Sequence, residues 1–385
     1  MKKIYLDNTA TTPLDERVLN EMIPFFVEKF YNPSSIYLSG NEIRKHVENA
    51  RKKIADFINA LPEEIIFTSG GTEANNLAIK GIAFKKGKGH IITSKIEHLS
   101  VLDTIKYLEK KGFEVTYVDV DEYGIVDPGD VRKAIRNDTI LISIIFANNE
   151  VGTIQDIREI ARIAKEKGIP FHTDGVMMVG WEKVDVKELG VDMLSFSAHK
   201  FHGPKGIGAL YVRKGILLEN LIHGGLQEKK RRGGTENVAG IIGFGKICEI
   251  RKEEMEKDKE KIKKLRDDLE NFIKENIPEV LILGHPLKKL YNISSVCFKY
   301  IEGESILLNL DFEGICVSSG SACTSGSLEP SHVLLAMGIP HEIAHGNIRF
   351  SFGKFNEESE VERVKEVLPK VINKLRQMSP FWEKK

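Results

Sequence analysis

The sequence predicts an α/β protein, with a large domain on a mainly parallel seven-stranded sheet and a smaller α+β domain after it. Three observations carry this. The first half of the chain alternates short apolar runs with segments of helical periodicity, as βα units do. At 385 residues the chain exceeds what one hydrophobic core usually supports and suits two domains sharing a cleft. A charge-dense segment from Glu249 to about Ile277 carries Ile262, Leu265, Leu269, Phe272 and Ile273 on one face, as a long helix bridging two domains would.

The elements follow in order. Ile43, Val47, Ala50, Ile54, Phe57 and Ile58 recur at helical spacing, and so do Leu99, Leu102, Ile105 and Leu108, which end before Gly112. Both stretches read as amphipathic helices. Seven apolar runs read as the strands of the sheet: Ile65 to Thr68, His90 to Ser94, Glu114 to Val120, Thr139 to Phe146, Pro170 to Asp174, Asp192 to Ser197 and Gly208 to Val212. Beyond the bridging helix, strands are expected near Ile293 to Phe298, Gly314 to Ser318 and Asn347 to Phe352, with helices near Glu304 to Asp311 and Glu357 to Arg376. There is no internal repeat, and the low-complexity stretch runs from Ser318 to Ser327.

Composition excludes several classes. Hydrophobic residues make up 41% and charged residues 29%, as in folded soluble proteins. Lys plus Arg and Asp plus Glu both total 56, so no overall field attracts nucleic acid or an anionic membrane. Met1 to Asn8 reaches Asp7 before any long apolar run, unlike a signal peptide, and no stretch approaches a membrane span. Cys248, Cys297, Cys316 and Cys323 show neither disulfide density nor a C-x-x-C pair. A reducing cytoplasm is expected, and no metal site.

Three candidate residues or motifs stand at strand ends. Ile65 to Ala78 runs from a strand through Ser69, Gly70, Gly71 and Thr72 into a helix, where small residues let backbone N–H groups approach a phosphate. Asp174 closes PFHTD at the end of a strand, where open α/β sheets place ligands and where a carboxylate can partner a pyridinium nitrogen. Lys200 follows the strand in MLSFSAHK, just before a Gly-Pro-Lys-Gly turn. Taken singly, these are more often a geometric turn, a helix cap and a surface lysine. In this order they are what a Schiff-base cofactor needs.

The stretches YLDNTATTP (5 to 13), TSGGTEANNLAIKG (68 to 81), SKIEH (94 to 98), ANNEVGTIQ (147 to 155), SFSAHKFHGPKGIGALYV (195 to 212), SSGSACTSGSLEPSHVL (318 to 334) and IRFSFGKF (348 to 355) resemble the cysteine desulfurase family, in its NifS and IscS group. The resemblance runs nearly end to end. It implies a homodimer of PLP fold type I within the class V aminotransferase superfamily. The expected division is a large PLP-binding domain at 14–255 and a small domain at 1–13 and 256–385, carrying a cysteine loop at about 318–331.

Position by position, the resemblance implies that Lys200 binds pyridoxal 5'-phosphate covalently, that Asp174 pairs with its ring nitrogen, and that His98 stacks on the ring and assists acid-base steps. Val176 would pack against the opposite face. Gly71, Thr72, Ser197 and His199 match phosphate-binding positions, and Thr235 matches one that reaches the phosphate of the other subunit. Asn149 resembles the residue near the phenolic oxygen and the substrate. Arg349 resembles the residue that clamps the substrate carboxylate, with Asn32 beside it.

Cys323 stands apart from the other three cysteines by the composition around it alone. Cys248, Cys297 and Cys316 have apolar neighbours, so buried packing explains them, whereas Cys323 lies among small polar residues that suggest a mobile, exposed loop. By resemblance it would take sulfur from L-cysteine as a persulfide and pass it to an acceptor such as an iron-sulfur scaffold. A selenocysteine lyase, another class V enzyme or a low-activity partner-binding paralogue are the competing readings. The chain departs from the family at Gly175 and at Met177, where a glutamine that donates to the phenolic oxygen is usual, and at Tyr31 and Trp181, to which the sequence assigns no consequence.

Overall fold

The structure, a computed structural model, describes residues 3–320 and 330–382. Its strands in chain order are β1 (Ile4–Tyr5), β2 (Ile65–Thr68), β3 (His90–Ser94), β4 (Glu114–Val118), β5 (Thr139–Ser143), β6 (Phe171–Asp174), β7 (Met193–Ser197), β8 (Gly208–Val212), β9 (Val280–Leu283), β10 (Ile293–Phe298), β11 (Ile315–Cys316) and β12 (Asn347–Ser351).

The seven apolar runs of the first half form one sheet in the order β2-β8-β7-β6-β5-β3-β4. Its neighbours are parallel except at β8, which runs antiparallel to both β7 and β2. The link from Ser197 to Gly208 is too short to hold a crossover helix, so β8 must return beside β7. Strands β3, β7 and β8 are buried along their whole length, which is why they read as continuous apolar runs. The chain leaves β3 outward to β4 and then builds β5 on the other side of β3. That reversal opens a crevice at the carboxyl ends of β3 and β5, the usual ligand position in such sheets.

A second sheet, β12-β10-β9, is antiparallel, and β1 pairs in parallel with β11. Strand β9 was not expected from the sequence, because a four-residue apolar run directly after a helix shows no period of its own. The bridging helix starts at Val238, not Glu249, and continues to Asn276. Its first turns bury every residue from Ala239 to Gly245, on all sides, so they lack the one-sided pattern that marks the charged half. Near Glu249 it pairs with Lys53 of the helix Leu38–Phe57, and near Asp268 with Lys365 of the helix Glu358–Met378. The expected division at residue 255 falls inside this continuous helix.

Cys248 and Cys297 are buried as expected, but Cys316 is only partly buried. It stands between buried Ile315 and Val317, and the alternation of a two-residue edge strand turns it outward. Among the described residues no helix is long and apolar enough to cross a membrane, and no group of three His, Cys, Asp or Glu is placed to hold a metal ion.

Candidate active site

Strand β2 ends at Thr68 and the helix Gly71–Lys86 begins three residues later. The first-turn N–H groups of a helix have no partner within it and carry the positive end of its dipole. A Cβ on Gly71 would stand 2.7 Å from Val176 Cγ2, so glycine is needed for this turn to close on the loop after β6. Thr72, Ser197 and His199 face the same cavity. Burial, with Lys200 and Lys205 nearby, pushes His199 down to about 4, so it is neutral and free of charge repulsion with its lysine neighbour.

Asp174 is 4% exposed at the end of β6. Its Oδ2 accepts from Asn75 Nδ2 at 2.7 Å and its Oδ1 from the Val176 backbone N–H at 2.9 Å. Asn75 is a site residue that the sequence reading quoted within a motif but did not single out. It lies four residues after Gly71, one helical turn on, so helical spacing is the signal that finds it. His98 caps the helix Leu99–Glu109, its Nδ1 accepting from Ser100 N at 3.1 Å. Burial lowers its basicity, Asp174 opposing and Lys200 reinforcing that shift.

Lys200 reaches back to the amino-terminal segment, where Nζ donates to Thr9 O at 2.6 Å and Ala10 O at 3.0 Å. Trp181 now has a position: it is 1% exposed and its indole N–H donates to the Lys200 backbone carbonyl at 3.0 Å, fixing the backbone that bears the lysine. Arg349, on β12, donates from NH1 to Asn149 O at 2.9 Å and from NH2 to Asp7 Oδ1 at 3.0 Å. Asp7, from a segment hundreds of residues away in sequence, is a second residue the sequence reading missed.

Lys200, Asp174, His98, Val176, Asn149 and Arg349 line a single cavity of about 440 Å³, with Met177 in its wall. Met177 is 3% exposed and has no N–H or O–H to offer. Two buried polar atoms at this site, Asn75 Oδ1 and Arg349 Nε, have no hydrogen-bond partner among the described residues. A phosphate-accepting helix start, a carboxylate, a primary amine and unpaired donors and acceptors around one cavity fit PLP with an amino acid beside it. Thr235 and Asn32 are exposed and outside this cavity. Cys323 lies outside the described residues, although Ser318 on the strand-side approach to it does line the cavity.

A profile of the family described as Aminotransferase class-V matches residues 4–364. A cysteine desulfurase IscS of Methanosarcina thermophila is 56% identical, the alignment covering 100% of this chain and 95% of that protein. This chain belongs to the cysteine desulfurase family. Among solved structures, a NifS-like protein superposes with a TM-score of 0.90 at 43% identity, over 97% of this chain and 99% of its own. A protein named SspA, solved in complex with cysteine, gives a TM-score of 0.81 at 38% identity, over 92% and 100%. The family is PLP-dependent and has the fold that the sheet order describes.

Proposed function

We propose that this protein is a cysteine desulfurase that converts L-cysteine to L-alanine and keeps the sulfur as a persulfide on Cys323. The observation that carries this is the convergence of Lys200, Asp174, His98 and Arg349 on one cavity whose wall continues into Ser318. PLP, once bound, supplies an electron sink for the bonds at the substrate's Cα.

The chain's own residues do the rest. The first turn of the helix Gly71–Lys86, with Ser197 and His199, would hold the phosphate, and Asp174, fixed in place by the donors Asn75 and Val176 N, would pair with the ring nitrogen. Arg349 takes the substrate carboxylate, its guanidinium plane already set by Asn149 O and Asp7. Lys200 Nζ removes the Cα proton and later returns one. Cys323, as thiolate, attacks the substrate sulfur: the S–S bond forms as the C–S bond breaks, and the carbon left behind gains a proton to become L-alanine. The persulfide then passes to the thiol of an acceptor, such as an iron-sulfur scaffold protein.

A second copy of the chain fits this reading. Phe26, Val27, Phe30, Ile36 and Leu38 form an exposed apolar run around Asn32, with Ile36 92% exposed. Burial of that run in a homodimer would supply Asn32 and Thr235 with the cavities they do not reach within one chain. The reading divides the chain at residue 255 into the PLP-binding domain and the domain carrying Cys323. The test is the absorbance of PLP-loaded protein before and after L-cysteine, with alanine measured. Wild type should change spectrum and form alanine and Lys200→Ala should form none; a protein that never retains PLP contradicts the proposal.

A further inference from the structure

The residues on either side of segment 321–329, which contains Cys323, meet in one buried knot. Before the segment, Ser318 N donates to Arg349 O at 3.2 Å and Arg349 N returns a bond to Ser318 O at 2.7 Å. Gly320 N donates to Asn347 Oδ1 at 3.2 Å. After the segment, Ser331 Oγ accepts from Val333 N at 3.1 Å, capping the helix His332–Ala336, and donates to Glu150 Oε2. A Cβ on Gly320 would stand 3.0 Å from that same Glu150 oxygen and 3.2 Å from Ser331 Cβ. One carboxyl therefore bonds to the flank after the segment and lies close beside the flank before it.

Glu150 is 5% exposed and does not line the cavity, so it cannot act on substrate directly. Its backbone is fixed by Asn148 Oδ1, which accepts from Glu150 N at 2.9 Å. The preceding residue, Asn149, accepts from Arg349 through its carbonyl. The carboxyl is thus referenced on one side to the proposed carboxylate clamp and on the other to both ends of the cysteine segment.

We propose that Glu150 is a positioning residue for sulfur transfer: by holding Ser331 beside Gly320 it fixes the two described ends of the segment that contains Cys323 relative to Arg349, and hence relative to the substrate. This rests on the desulfurase reading above. In-line attack of one sulfur on another is sensitive to placement, and a displacement of about 1 Å costs up to roughly a hundredfold in rate. The role needs an acceptor for Ser331 and a side chain short enough to spare Gly320, which glutamine also provides.

The test uses the PLP-loaded full chain as wild type, Glu150→Ala, Glu150→Gln and Ser331→Ala. Cofactor absorbance on mixing with L-cysteine reports the steps around Lys200, and the mass of the Cys323 peptide in a single turnover reports sulfur transfer. Glu150→Ala and Ser331→Ala should leave the absorbance step within about twofold and slow persulfide formation by roughly tenfold or more, with Glu150→Gln restoring most of the rate. Equal loss in both steps, or unchanged sulfur transfer, overturns the proposal. Should Glu150→Ala not fold, Ser331→Ala breaks the same link from its other end. Wild-type protein that changes spectrum but leaves Cys323 without sulfur overturns the desulfurase reading itself.

Discussion

Glu97, the residue before His98, is fully buried, and burial pushes its carboxyl up to about 8, with Asp174 adding to the rise. Ser94 Oγ and Ile145 N both donate to Oε1, at 2.6 and 2.8 Å, while Oε2 has no partner among the described residues, an arrangement that suits a neutral acid. The folded pKa lies above the ordinary 4.5, so the folded state holds the proton more tightly. That stabilisation is fully present below pH 4.5 and is lost as pH rises through about 8. Glu97→Gln has no proton to lose, so its Tm should fall less than that of wild type across this window; identical slopes would refute the neutral acid. Met177 makes a second residue-scale test. Met177→Gln adds a donor toward the cofactor's phenolic oxygen worth about 0.5–1.5 kcal/mol. The pH at which lysine-bound PLP loses its proton should drop by up to about one unit, at 1.36 kcal/mol per unit. An unchanged titration would place Met177 away from that oxygen. Lys200, Asp174 and His98 were legible because each sits in a motif at an element's end, and Arg349, in the middle of β12, through the resemblance of IRFSFGKF. Asp7 was not, since only the folded chain brings it to Arg349, and the orphaned Oε2 of Glu97 is invisible without packing.

At the scale of elements, the helix Gly71–Lys86 is where local sequence and chemistry meet. Gly71→Ala would drive a methyl to 2.7 Å from Val176 Cγ2 and push the first turn away from the loop after β6. PLP retention on gel filtration should fall, with little change in far-ultraviolet helicity; full retention would mean the helix start does not hold the phosphate. The strands of the central sheet were readable because buried parallel strands are written as uninterrupted apolar runs between turn residues. The antiparallel return of β8 was legible in principle as well, because the link from Ser197 to Gly208 is too short for a crossover helix. The first half of the helix Val238–Asn276 was not. Buried on several faces, it has no amphipathic stripe to detect.

On the scale of the whole molecule, neutral overall charge and ordinary composition left only local surfaces to carry association. The exposed run from Phe26 to Leu38 is such a surface, and Tyr31, whose place the sequence could not explain, stacks there on Phe30 at 4.6 Å. Ile36→Asp with Leu38→Asp should give a monomer by sedimentation that binds PLP more weakly, because in the proposed homodimer Thr235 would complete a neighbour's phosphate site; a stable dimer would move the interface elsewhere. The central claim is the destination of the sulfur. Wild-type protein loaded with PLP is mixed with one equivalent of L-cysteine, alkylated and digested, and the masses of all four cysteine peptides are read against alanine formed. The account predicts one added sulfur on the peptide of Cys323, matched by alanine, with Cys248, Cys297 and Cys316 unmodified. Alanine without sulfur on Cys323, or sulfur on another cysteine, would contradict it.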